Sequence, residues 1–191
     1  TDDGSALKVI RGYNPYRGKV EIPATVNGLP VTEVDGLAMY ACYYLKELVI
    51  GDNVKKCGHE AFGASINLCN VTLPVADVEF THNWMFNCDR GIREIHCRSS
   101  IPYVVEEGIF NGAVDYDKCI LYVPVGTKQA YRNAEVWKYF THIVEENVST
   151  SISNINVEKK GVWYTLQGVK LFAKPNIPGV YIHNGKKIIV R

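Results

Sequence analysis

The sequence predicts a repeat solenoid, and three observations carry that reading. An aromatic residue or Met follows a small or apolar residue in Ala38-Met39, Ala61-Phe62, Met85-Phe86 and Ile109-Phe110, so these anchors recur at a nearly constant interval. After the anchors come apolar triplets spaced L-x-x-L-x-L: Leu45, Leu48, Ile50, then Leu68, Val71, Leu73, then Ile92, Ile95, Cys97. The fourth copy keeps Leu121 and Val123. An apolar residue followed by Pro recurs at the end of the triplet, in Ile22-Pro23, Leu73-Pro74 and Val123-Pro124. A fixed period of about 20 to 29 residues with this apolar spacing marks a leucine-rich solenoid. Its logic is burial: one unit cannot hide its apolar edge, but a neighbour stacked on it can. Met39, Phe62, Phe86 and Phe110 should then form a continuous spine.

Residues 1–19 open with a polar tail, followed by Leu7, Val9 and Tyr13 at strand-like alternation and a turn at Asn14-Pro15. This stretch reads as an N-terminal cap or partial repeat. The first clear rung begins at Val20-Glu21-Ile22-Pro23; Asn27-Gly28-Leu29-Pro30 adds a turn, and Val31 and Val34 resume the extended pattern. Val54 to Cys57 is the matching stretch one unit later. Each unit thus reads as a short strand, a turn, a second short strand and a compact helical turn that carries the anchor. At Gly126-Thr127 the pattern changes. Thr127 is a candidate N-cap, and Ala130, Tyr131, Ala134, Trp137 and Phe140 follow at helical spacing, which predicts a capping helix over 127–140 closing a solenoid of 20–145. Residues 146–160 are polar and rich in Ser and Asn, as in a linker. Residues 161–191 alternate like strands over 162–166, 169–172, 180–183 and 187–190, with Gln167-Gly168 and Asn184-Gly185 as turns, which predicts a small β-meander tail.

A net charge of +1 offers no electrostatic case for nucleic acid, and the longest apolar runs are too short for a membrane span. The chain starts at Thr1 rather than Met, as expected of a processed or trimmed product. The six cysteines contain no C-x-x-C pair. Repeat alignment puts Cys57 in the place of Val34 and Val105, Cys42 in that of Ser65, and Cys97 in that of Ile50 and Leu73, so these three read as small buried hydrophobes. Cys69 and Cys119 fall at the same place in units two rungs apart. At about 4.8 Å per rung they would lie near 10 Å from each other, beyond the roughly 7 Å that a disulfide spans between Cα atoms. All six are therefore expected as free thiols.

Candidate chemistry is sparse. A thiol enzyme needs a Cys beside a His base, but the repeat turns Cys57 inward and leaves His59 in a turn. His96 and Cys97 are adjacent on a strand and point to opposite faces, so they cannot hold one ion together. Asp115 and Asp117 lie in a two-residue insertion of the fourth unit, where a solvated loop is expected rather than a cation site. Glu106-Glu107 and Glu145-Glu146 have no partner at a spacing that supports acid/base work. No catalytic residue, metal or cofactor is expected. The repeat itself selects one surface: Val49, Thr72, His96 and Tyr122 sit between the last two apolar residues of each triplet and should stand in a row on the outer face of the strand sheet. The neighbouring column of Glu47, Asn70, Glu94 and Ile120 is expected in a core-side or edge environment.

The pattern resembles the BspA-like leucine-rich repeats of bacterial surface and secreted proteins. The resemblance rests on Ile22-Pro23, on Asn27-Gly28-Leu29-Pro30-Val31-Thr32, on the Ala61-Phe62 anchor and on the small-residue-then-Leu ending Cys42…Leu45, and it covers about residues 7–145. Departures are Ala38-Met39 for Ala-Phe, Cys88 one position early, and Phe80-Thr81 in the third unit. In that family a rung ending in Val-Pro, followed by a helix with a Tyr and a Trp, commonly closes the array, and Tyr122-Val123-Pro124 to Trp137 matches this. The tail resembles short C-terminal segments of secreted proteins from the same bacteria, some of which act in sorting to the surface. The resemblance implies an extracellular or cell-surface, non-catalytic module that adheres to protein or glycan on host or microbial surfaces. A structural spacer or accessory domain in a glycan-handling surface assembly is the alternative.

Overall fold

The computed structural model describes residues 4–12, 16–81, 84–88 and 90–148, and beyond these the strand segments 163–165, 170–171, 179–183 and 186–190. The chain divides into two compact units, Thr1–Val148 and Ser149–Arg191. In chain order the first unit holds β1 (Leu7–Val9), β2 (Arg17–Ile22), β3 (Thr25–Val26), β4 (Leu29–Val34), β5 (Tyr44–Ile50), β6 (Lys56–Cys57), β7 (Asn70–Leu73), β8 (Glu79–Phe80), β9 (Glu94–Cys97) and β10 (Ile120–Pro124). It closes with a short helix α1 (Lys128–Asn133), a 3-10 turn (Trp137–Tyr139) and β11 (His142–Glu146).

Two parallel sheets follow from the repeat. One runs β2-β5-β7-β9-β10-β11, the other β1-β4-β6-β8, with β3 folded back on β4. The hairpin between β3 and β4 turns on Asn27 and Gly28, both at positive φ (51° and 83°), as a two-residue turn requires. From β5 onward successive units pair without slipping, Leu48 with Val71, Val71 with Ile95 and Ile95 with Leu121, whereas β2 and β5 shift register between Gly18 and Lys19. On the other sheet Val34 pairs with Cys57 and Cys57 with Phe80. Along β7 and β9 every second residue is buried, and a slip of one residue would turn the apolar set to solvent. Leu45, Leu48, Ile50, Leu68, Ile95, Cys97, Leu121 and Val123 fill the interior at 0–1% exposure. The rungs also approach closely at one glycine pair, where a Cβ on Gly58 would collide with the backbone nitrogen of Gly36.

Met39, Phe62, Phe86 and Phe110 are buried, and the three Phe rings stack: Phe62 on Phe86 at 5.5 Å and 13°, Phe86 on Phe110 at 5.8 Å and 16°. The anchors do not sit on helical turns. Leu37, Glu60, Trp84 and Gly108, each two residues before an anchor, take positive φ (59°, 45°, 72° and 97°), which a helix excludes. Alternate backbone N–H groups point along the stack, as Leu37 donates to the His59 carbonyl (2.9 Å), Met39 to Ala61 (2.8 Å) and Ala41 to Gly63 (2.9 Å), while those between bond back along the chain, Ala38 to Asp35 and Tyr40 to Leu37 (both 3.2 Å). With every second N–H satisfied on the next rung, the local bonds form isolated turns and not a continuous helical ladder. At the same corner Ser65 is fully buried, yet its hydroxyl accepts from the Cys42 N–H (3.2 Å) and donates to the Met39 carbonyl (3.2 Å). Arg98 adds a side-chain clamp across three units. Its Nε donates to the Leu73 carbonyl (2.9 Å), its Nη2 to the Ile50 carbonyl (3.0 Å), and Nη2 also pairs with Asp52 Oδ1 (2.7 Å).

The C-terminal cap differs from a single helix over 127–140. The α-helix stops at Asn133, and Val136 turns left-handed (φ 67°) before the 3-10 turn. That break lets Trp137 and Phe140 both meet the ring of Phe110, at 5.5 and 5.8 Å, while Tyr131 packs edge-on to Trp137 at 5.6 Å. The buried aromatic contacts offset the strain of a β-branched residue at positive φ, a cost of about 1–3 kcal/mol. Polar tips reach back into earlier units: Tyr131 Oη donates to the Ser99 carbonyl (2.9 Å), Trp137 Nε1 to the Tyr103 carbonyl (2.8 Å), and Tyr103 Oη to the Pro74 carbonyl. Thr127 occupies the N-cap position but makes no side-chain cap; its hydroxyl donates to the Pro124 carbonyl (2.7 Å). The cap comes from Glu145, whose Oε1 accepts the N–H groups of Gly126 (2.9 Å) and Lys128 (3.2 Å). β11, which supplies Glu145, pairs with β10 as one more rung.

In the second unit β12 (Trp163–Thr165), β13 (Lys170–Leu171), β14 (Gly179–His183) and β15 (Lys186–Val190) form an antiparallel sheet in the order β13-β12-β14-β15. This is not a meander, because β14 pairs with β12 rather than with β13. The turns expected at Asn14-Pro15, Gln167-Gly168 and Asn184-Gly185, Tyr13, and the linker from residue 149 to 160 lie outside the described residues.

Candidate binding face

Strand pairing places Val49 opposite Thr72, Thr72 opposite His96, and His96 opposite Tyr122. The row continues to Glu21 on β2 and Val144 on β11. All four predicted residues are half-buried and outward, flanked on each strand by buried neighbours. Glu47, Asn70, Glu94 and Ile120 form a second row on the same face, not a core-side one. They stand two residues before the first row, and residues two apart on a strand share a face.

At the centre of this face the side chains lock together. The His96 and Tyr122 rings lie 4.4 Å apart and within 5° of parallel. His96 Nδ1 is 2.9 Å from Glu146 Oε1; a carboxylate oxygen only accepts, so the contact puts a proton on Nδ1. His96 Nε2 lies 3.8 Å from Glu94 Oε2, which accepts the side-chain N–H of Asn70 at 2.6 Å. The Tyr122 hydroxyl has no hydrogen-bond partner among the described residues, so the face displays a phenol beside a fixed imidazole. Glu146, Glu94 and Asn70 were not predicted as site residues: Glu146 meets His96 from 50 positions away in the chain.

No family model matches the chain, and no curated protein matches it. Among solved structures, a leucine-rich repeat protein from T. pallidum is similar. The two are 16% identical over 69% of this chain and 89% of that chain, with a TM-score of 0.36.

The other sequence candidates are not brought together. Cys57 is fully buried, and burial pushes its thiol up to about 12, while His59 faces outward beside Glu60 (3.3 Å). Cys97 is enclosed and its thiol raised well above the usual range by burial, on the opposite side of β9 from His96. Asp115 is held below the usual carboxylate range by Lys118, whose Nζ lies 2.8 Å from Oδ2. Its other oxygen accepts the Asp117 N–H (3.2 Å), and Arg90 adds a weaker pull from a distance. Among the described residues no group of three or more His, Cys, Asp or Glu side chains could hold a metal, and no helix is long and apolar enough to cross a membrane.

All six cysteines are free thiols, and five of them, Cys42, Cys57, Cys88, Cys97 and Cys119, are buried. Burial pushes Cys88 and Cys119, like Cys57, up to about 12 and also raises Cys42. Cys69 is half-buried, with its Sγ 3.2 Å from the Lys46 carbonyl. Because the thiolate is the reactive species, a thiol reagent at neutral pH should label Cys69 first, and the other five should react on unfolding. Mass spectrometry after a short native-state exposure checks this. Equal early labelling of Cys57 or Cys97 would contradict the burial described.

Proposed function

We propose that this chain is a non-catalytic binding module of the BspA-like class. It belongs to a secreted or cell-surface bacterial protein and adheres to protein or glycan through the outward face of the six-stranded sheet. The observation that carries the reading is the row Val49-Thr72-His96-Tyr122, held in register by four parallel strands. At its centre a phenol whose hydroxyl has no hydrogen-bond partner among the described residues sits beside an imidazole fixed between Glu94 and Glu146. Solenoids use extended faces of this kind for binding, and preorganised side chains lose little freedom when a ligand arrives.

The test is binding of the full chain to arrays of extracellular-matrix proteins and glycans, repeated with a variant carrying His96→Ala and Tyr122→Ala. The expected result is at least a tenfold loss of affinity, about 1.4 kcal/mol, with the unfolding free energy lowered by no more than about 1–2 kcal/mol. Unchanged affinity would remove this face from consideration. Flat arrays together with loss of a surface assembly in a deletion strain would favour the spacer role.

A further inference from the structure

The fourth unit is longer than its neighbours: the chain from Cys97 to Val123 has two more positions than the equivalent stretch from Leu73 to Cys97. The additional chain folds into a tight turn. The N–H groups of Lys118 and Cys119 both donate to the Asp115 carbonyl, at 3.0 and 2.8 Å, and the Asp115 side chain is tied to Asp117 and Lys118 as described above. Beside this turn lies a groove of about 520 Å³ that reaches Glu94 and Ile120 of the binding face. That volume falls within the usual range of ligand pockets, about 300–1,000 Å³.

The groove's polar lining is unevenly satisfied. Its two carboxylates are engaged, Asp115 by Lys118 and Glu94 by Asn70. Its two guanidiniums are free of direct contacts: Arg90 and Arg93 are exposed and make no side-chain hydrogen bond or ion pair among the described residues, Arg90 interacting with Asp115 only weakly and from a distance. They flank Ile92, and the rest of the lining is Cys119 and Ile120, with no aromatic ring. Guanidinium groups match a carboxylate with two parallel hydrogen bonds. An aliphatic floor without a ring offers no stacking platform for a sugar but does accept an aliphatic side chain. We propose that this groove binds an acidic segment of a protein partner, with a carboxylate held by Arg90 and Arg93 and an adjacent aliphatic side chain resting on the half-buried Ile120. The inference rests on the binding-module reading for its partner being a protein, and it adds a site with its own chemistry.

The probe is a capped peptide containing the segment Leu-Asp-Leu-Glu, titrated calorimetrically into the full chain. The expected dissociation constant is on the order of 10–100 μM. A peptide with Asn and Gln in place of the acids should bind at least tenfold more weakly, and so should the double variant Arg90→Ala, Arg93→Ala. Raising the salt from about 0.05 to about 0.5 M should weaken binding severalfold. An unchanged unfolding curve for the double variant separates loss of the site from loss of the fold. Equal binding of the neutral peptide, undiminished binding by the double variant, or no heat at all would overturn the proposal. So would binding of a carboxylate-bearing oligosaccharide with no response to the peptide. The His96→Ala, Tyr122→Ala variant should keep the peptide. If the peptide fails while array ligands still bind through His96 and Tyr122, the groove falls and the face stands.

Discussion

Replacing Phe86 by alanine is expected to lower the unfolding free energy of the first unit by about 3–5 kcal/mol. Phe86 is fully buried and lies between Phe62 and Phe110 in the stack, with Phe80 edge-on at 6.1 Å. The change therefore removes a ring from three aromatic contacts and leaves a cavity that rigid strands on either side cannot close. In a solenoid each unit is stabilised by its neighbours. A gap in the middle weakens two interfaces at once and should broaden the transition as well as shift it. Equilibrium urea unfolding followed by far-ultraviolet circular dichroism measures both. A loss below about 1 kcal/mol would mean that the spine does not couple the units.

The second large effect is expected at the cap. Trp137 is fully buried among Tyr103, Phe110, Tyr131 and Phe140, and its indole N–H is bonded to the Tyr103 carbonyl. Trp137→Ala should cost about 3–5 kcal/mol in lost packing, and the orphaned carbonyl adds about 1–3 kcal/mol. Trp137→Phe keeps most of the ring and loses the donor, so its smaller cost isolates the hydrogen bond. Hydrogen exchange should show β11 and β10 losing protection in Trp137→Ala while β5 and β7 keep theirs. Uniform loss along the chain would contradict a role confined to closing the end.

What the sequence made readable is what recurs. Burial repeats with the period of the anchors, so a single spacing located the strands, the spine and the register that pairs Thr72 with His96. Features that do not recur were hidden. The left-handed residues before each anchor are Leu37, Glu60 and Trp84, none of which advertises positive φ; Gly108 alone does. The helical spacing through Trp137 is genuine as far as Asn133 and then yields to packing against Phe110. Glu145 and Glu146 look like the start of a polar linker, because their partners, the amides at Gly126 and Lys128 and the ring of His96, are distant in the chain. A cap supplied from the next rung has no local spacing to betray it.

The two outward rows also form a grid with unequal steps. Along the strands, Glu47 to Val49 is a two-residue step of about 6.6 Å, while from strand to strand the step is about 4.8 Å. An extended peptide presents side chains on one side about every 6.6 Å. Laid parallel to the strands, it meets the grid in phase. Laid along the solenoid axis, it drifts by about 2 Å per step and is out of phase within two rungs. On the proposed binding reading, the spacing would act as a vernier that favours an extended peptide crossing the solenoid over one running its length.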